Sequence, residues 1–119
     1  MIDLHCHILP GIDDGARSLA DAVAMCRLAA AEGCEAMVAT PHQRRGIWWN
    51  GDLERLEQLR QQVAAEVGAE IRIYSGGEVH VDSELLAELL RHGSGGKAGV
   101  FPLAGSRYLL LEFSSSWSA

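Results

Sequence analysis

Apolar and polar positions follow one repeated order along the chain: a short apolar run, a polar loop, then an apolar stripe at helical spacing. Ile2-Asp3-Leu4-His5 alternates with the two-residue period of a strand. The loop from Ile8 to Arg17 carries Pro10, Gly11 and Gly15. Ser18 with Asp21 three positions on resembles a capping box, with Asp in place of the preferred Glu. Leu19, Ala22, Val23, Cys26 and Ala30 then share a helical face, and Gly33 supplies the stop. The second unit opens with the buried-type strand Ala36-Met37-Val38-Ala39 and breaks at Thr40-Pro41-His42 into a polar loop reaching Gly51. Asp52 caps a helix with Leu56, Leu59, Val63 and Val67 on one face, ended by Gly68. The third unit is Ile71-Arg72-Ile73-Tyr74, the loop Ser75-Gly76-Gly77-Glu78, and a helix from Ser83 to Arg91 whose leucines 85, 86, 89 and 90 read as core. A glycine-rich turn from Gly93 to Gly99 leads to a fourth strand, Tyr108 to Phe113.

Four strands interleaved with three helices predict right-handed βαβ units around a parallel sheet, an α/β fold. Ligands of such sheets gather beyond the carboxyl ends of the strands. His5 and His7 end the first strand, His42 follows the second, Glu78 follows the third and Glu112 ends the fourth, so five metal-capable groups fall on one edge. His-x-His at a strand end brings two imidazoles to one ion, because the chain leaves the sheet there. Asp13 and Asp14 lie in the next loop, within reach of the same cavity, and Glu78, beside Gly76-Gly77, has room to bridge two cations. Imidazole with carboxylate suits Mn, Fe or Zn better than Ca or Mg alone. Several such ions would activate a water and clamp a phosphoryl group.

Other residues read less sharply. Arg44 and Arg45 are either a phosphate clamp or a solvated loop pair, and Trp48 and Trp49 either rim an aromatic-binding pocket or merely pack. Asp3 reads as a structural acid beneath the site, and His80 and His92 as ordinary surface or core residues. Cys6 lacks the CxxxxxR cradle of a phosphatase nucleophile and, as the strand residue between two ligand positions, points away from them.

Composition narrows the classes. The 119 residues suffice for one domain, 48% are apolar and 22% charged, which permits a packed core. A net charge of −6 with Lys97 as the sole lysine offers nucleic acid or an anionic membrane no general attraction. No apolar run approaches the ~20 residues of a membrane-spanning helix, and Met1 to His5 has neither the basic start nor the apolar stretch of a signal peptide. Three cysteines without CxxC spacing predict reduced thiols and a cytoplasmic protein.

The segment MIDLHCHILPGIDDGAR, with Ala39-Thr40-Pro41-His42, Gly77-Glu78 and Leu111-Glu112-Phe113, resembles the PHP (polymerase and histidinol phosphatase) superfamily. The likeness is to its bacterial protein-tyrosine phosphatases of capsule and exopolysaccharide operons, the CpsB/YwqE type. The resemblance implies a distorted (β/α)7 barrel with a trinuclear site, usually manganese and with Fe or Zn as alternatives, at the strand ends. It further implies His5 and His7 as ligands of a first metal and Glu78 as the bridge to a second. Glu112 would be a ligand of the second metal, and Asp14 and His42 ligands of a third. Asp14, His42, Arg44 and Arg45 would serve catalysis, by attack of a metal-bound hydroxide on phosphotyrosine without a phosphocysteine. The implied partner is a phosphotyrosine protein, a bacterial tyrosine autokinase of polysaccharide export. Members of the family continue past Leu-Glu-Phe with a His-Pro-Glu-Arg segment and an Asp-x-His pair, so residues 1–119 read as the amino-terminal part of the domain, carrying its first four strands and three helices. The alternatives are a phosphoesterase of the same fold acting on a small ester such as histidinol phosphate, and a truncated, non-catalytic metal-binding module.

Overall fold

In the computed structural model, which describes residues 1–92 and 99–114, the apolar runs of the sequence become short strands and three helices are interleaved with them. The order is β1 (Ile2–Cys6), α1 (Leu19–Ala31), β2 (Ala36–Ala39), β3 (His42–Gln43), α2 (Leu53–Val67), β4 (Arg72–Ser75), β5 (Glu78–His80), α3 (Ser83–His92) and β6 (Leu110–Glu112). The helices start at side-chain caps: Ser18 Oγ accepts from Asp21 N at 3.1 Å, Asp52 Oδ1 from Arg55 N at 3.1 Å and Asp82 Oδ1 from Leu85 N at 2.7 Å. Each cap satisfies a first-turn N–H that the helix itself leaves open. The Asp21 carboxylate accepts from Arg17 N at 3.3 Å, one residue before the position a regular capping box would use.

The sheet differs from the expected single one. Pairing between the strands is parallel, but it forms two three-stranded sheets, β1-β2-β4 and β3-β5-β6. Two expected strands continue past a break, β2 into β3 across Thr40-Pro41 and β4 into β5 across Gly76-Gly77. Pro41 has no N–H to give a ladder. At the glycines neighbouring side chains occupy the space a Cβ would need: a Cβ on Gly76 would lie 2.6 Å from Val38 Cγ1. His42 and Glu78, expected in loops, are therefore the first residues of β3 and β5 and stand opposite each other in register. The strand expected over 108–113 is regular only at Leu110–Glu112. The turn expected over 93–99 lies outside the described residues except for Gly99, as does the side chain of His92.

Each sheet has its own core. Ile8, Leu9, Cys26, Met37, Leu59, Val63 and Ile73 belong to the larger cluster, and Val79, Val81, Leu85 and Val100 form the smaller. Helix α3 corrects the reading of its four leucines as core. Leu85 and Leu89, one turn apart, face the smaller cluster, whereas the neighbouring stripe of Leu86 and Leu90 is exposed. Leu85 is 0% and Leu90 89% exposed. Leu85→Ala should therefore cost about 2–5 kcal/mol and Leu90→Ala no more than about 0.5 kcal/mol, read from urea midpoints at constant slope. Tyr108 and Phe113, flanking β6 at the outer edge of its sheet, are also exposed. Among the described residues no helix is long and apolar enough to cross a membrane.

Candidate metal centre

Thr40 joins the two sheets where the site forms. Its N–H donates to the Cys6 carbonyl at 2.8 Å, and its hydroxyl oxygen accepts from Cys6 N at 2.9 Å. This fixes His5 and His7, on either side of Cys6, against the start of β3. Cys6 itself faces inward, its thiol donating to the Val38 carbonyl at 3.1 Å. Burial pushes that thiol up to about 12, so Cys6 is no thiolate nucleophile near neutral pH. Asp3 accepts from His5 N at 2.9 Å, bracing the strand below the imidazoles.

Glu78 is the hub. Its Oε2 lies 3.2 Å from His5 Nε2, and its Oε1 lies 3.2 Å from both His7 Nε2 and His42 Nδ1. His42 continues outward: Nδ1 is 3.9 Å from Glu112 Oε1, and Nε2 is 3.3 Å from Asp14 Oδ1. Three groups of donors result, each with its ligand atoms within 4.8 Å of one another: His5, His7 and Glu78; His7, Asp14 and His42; and His42, Glu78 and Glu112. His42 Nδ1 is buried and makes no hydrogen bond, despite its proximity to Glu78. A buried nitrogen without a donor or acceptor partner is costly in a protein alone and is what a nitrogen awaiting a cation looks like. The donor chemistry, imidazole with carboxylate, fits a borderline divalent ion.

Asp13 and Asp14 separate clearly. The Asp14 side chain is 57% exposed and opens toward His42. The Asp13 side chain is buried: its Oδ2 accepts from His7 Nδ1 and His42 N, both at 3.0 Å, and its Oδ1 from Gly15 N at 2.9 Å. Burial by itself would raise the Asp13 carboxyl, but these three hydrogen bonds hold it below the usual range. The hydrogen bond to Asp13 in turn raises His7 above the usual imidazole value, against the opposing effect of burial.

The arginines also part company. Arg45 Nη1 lies 3.1 Å from Glu112 Oε2 and 3.4 Å from His42 Nε2, beside the donor groups. Arg44 instead reaches Asp82 at 3.4 Å and lies over the Trp49 ring at 4.6 Å. Its φ of +60° redirects the chain, and the Arg45–Trp48 bridge closes the hairpin that follows. Trp48 stacks on the His42 ring at 5.2 Å between centroids, and that ring packs on His7 at 4.5 Å.

Two neighbours of the site escaped the sequence reading. His80 lies 3.3 Å from Glu112 Oε1 and pairs with that residue in register. The signal was available, because a residue two positions after Glu78 on a strand faces the same side. Gln43 is fully buried. Its Nε2 donates to the Asn50 carbonyl at 2.9 Å and the Gly99 carbonyl at 3.3 Å, and its Oε1 accepts from Phe101 N at 2.9 Å. Nothing in a lone glutamine announces that role.

Fold and site together define a class: a parallel α/β protein whose strands present overlapping trios of imidazoles and carboxylates where two sheets meet. The family model described as capsular polysaccharide synthesis, CpsB/CapC, matches residues 1–119, and the chain belongs to that family. It is 34% identical over 116 residues to the tyrosine-protein phosphatase YwqE of Bacillus subtilis, covering 95% of this chain and 43% of that protein. Against the tyrosine-protein phosphatase CpsB of Streptococcus pneumoniae the identity is 31% over 116 residues, covering 96% and 45%. A solved structure from work on YwqE and CpsB as unique metal-dependent tyrosine phosphatases matches with a TM-score of 0.73 at 30% identity, covering 96% of this chain and 44% of that one. The chain thus spans a little under half the length of the relatives it matches.

Proposed function

We propose that residues 1–119 form the amino-terminal part of a manganese-dependent protein-tyrosine phosphatase, contributing the first strands and helices of a distorted (β/α)7 barrel. In this reading the protein works in the cytoplasm on phosphotyrosine of a tyrosine autokinase in capsule or exopolysaccharide export. The observation that carries the reading is Glu78 held between His5, His7 and His42 at 3.2 Å each, in a chain whose relatives are named tyrosine-protein phosphatases.

His5 and His7 with Glu78 would hold one ion, Glu78 with Glu112 a second, and Asp14 with His42 a third. Bound there, the ions supply Lewis acidity at the phosphoryl oxygens and bring the pKa of water toward neutrality. The chain's own groups do the rest. Arg45, 44% exposed and adjoining both Glu112 and His42, presents a planar fork of N–H donors to phosphoryl oxygens. Asp14 Oδ1 lies 3.3 Å from His42 Nε2, so the two donors face one position at the open side of the site. Trp48 covers one face of His42, fixes the ring plane and keeps water from that side. Arg44, engaged by Asp82 and Trp49, supports the loop that carries Arg45.

The test uses the complete protein with a phosphotyrosine peptide and with histidinol phosphate. Peptide hydrolysis should exceed that of the small ester by at least about tenfold in kcat/KM, roughly 1.4 kcal/mol of discrimination. It should vanish with a chelator and return with Mn²⁺. Preference for histidinol phosphate would transfer the substrate to the small-ester class, and chelator-resistant turnover would refute the metal reading.

A further inference from the structure

The Asp13 carboxylate accepts three N–H groups and has a side chain that is 1% exposed, so it has no free face for an ion. Yet it touches both histidines that link the three donor groups. One Asp13 oxygen, Oδ2, takes the His7 ring nitrogen Nδ1 and the His42 backbone N–H together. We propose that Asp13 is a positioning residue that locks His7 in the Nδ1–H tautomer and ties it to His42, so that the two imidazoles form one preorganised unit. The inference rests on the metal reading above and adds to it how the ligands are held.

The physical argument is one of lone pairs. With the proton fixed on Nδ1, the His7 Nε2 lone pair faces the Glu78 carboxylate at 3.2 Å. Two acceptors at that distance repel unless a cation or a proton lies between them. Orienting a ligating histidine through its other ring nitrogen is a general device of metal sites, and its loss costs about 10–100-fold in metal affinity. The His42 N–H bond adds register: it sets the start of β3, and hence the His42 ring, relative to the loop after β1.

Asp13→Asn is the discriminating variant, because it keeps the shape and removes one acceptor. If the amide oxygen faces His7 and His42, its NH₂ meets the Gly15 N–H. In the flipped orientation the NH₂ meets the His42 N–H and drives the His7 proton to Nε2. The measurement is made on the metal-free complete protein at about pH 9, well above the usual imidazole range, by long-range ¹H–¹⁵N correlation of the histidine rings. The unsubstituted protein should show His7 as Nδ1–H, and Asp13→Asn should add an Nε2–H population, because either amide orientation sets a donor against a backbone N–H, while its Mn²⁺ affinity, titrated calorimetrically, falls about 10–100-fold. His7 found as Nε2–H in the unsubstituted protein overturns the proposal even if the variant does not fold. So does, in a folded variant, Mn²⁺ affinity within about twofold of the original. If the unsubstituted protein takes up no Mn²⁺ at all, the metal reading fails separately, and the ring spectra still decide whether Asp13 sets the tautomer.

Discussion

Glu78→Gln should lower phosphotyrosine hydrolysis by the complete protein at least about 10³-fold, equivalent to ~4 kcal/mol of transition-state stabilisation. Glu78 is shared by two of the three donor groups, so one substitution strikes both. Groups that merely orient a metal ligand already matter by about 10–100-fold, and a shared ligand must matter more. Glutamine keeps the length and volume but replaces one of the two oxygens with an NH₂. Whichever way that amide turns, it sets a donor against an imidazole, since His5 faces one carboxylate oxygen and His7 and His42 the other. The substitution leaves the β5 backbone pairing with β3 and β6 in place, so the melting curve of the metal-free protein should hardly move. Metal stoichiometry measured on the purified variant should drop alongside turnover. Near-normal kcat/KM in Glu78→Gln would remove this residue from the centre of the site.

The second large effect comes from a residue with no side chain. Gly77→Ala should destabilise the fold by about 3–5 kcal/mol. The new Cβ would lie 2.0 Å from Gln43 Oε1 and 2.8 Å from its Cδ. Gln43 has nowhere inexpensive to go: it is fully buried, and moving it breaks bonds to Asn50, Gly99 and Phe101. Each buried polar group left without a partner costs about 1–3 kcal/mol. The alternative, shifting Gly77 itself, would displace the adjacent Glu78. Chemical denaturation reads the first cost, and Mn²⁺ affinity reads any displacement of the site. A variant that matches the parent in both would show that the contact relaxes freely.

The contrast between these two residues shows what the sequence made legible. Glu78, His5, His7, His42 and Glu112 could be nominated because their side chains carry the chemistry and the strand–helix rhythm placed them on one edge. The break of strands into two sheets could not be read. His42–Gln43 and Glu78–His80 are too short to display a two-residue period, and their pairing is decided by neighbours far along the chain. Adjacent like residues were likewise ambiguous. Asp13 and Asp14 differ only in which way a loop turns, and Arg44 and Arg45 only through a left-handed backbone at Arg44. The stripe of Leu86 and Leu90 misled because helical spacing shows which residues share a face, not whether anything covers it.

The interruption at Thr40-Pro41 and Gly76-Gly77 leaves the protein with two stacks of strands whose junction is where the imidazoles and carboxylates converge. His5 and His7 belong to the end of the first stack, and His42, Glu78 and Glu112 to the second. An ion taken up between them is therefore a rivet as well as a reagent: it joins side chains of two sheets that the chain itself links across Thr40-Pro41 and Gly76-Gly77. Held at a hundred times its dissociation constant, such an ion adds about 2.7 kcal/mol to the folded state. That is a large share of the 5–15 kcal/mol by which domains outlast unfolding. Starving a cell of the metal would then thin the population of intact molecules as well as silence them.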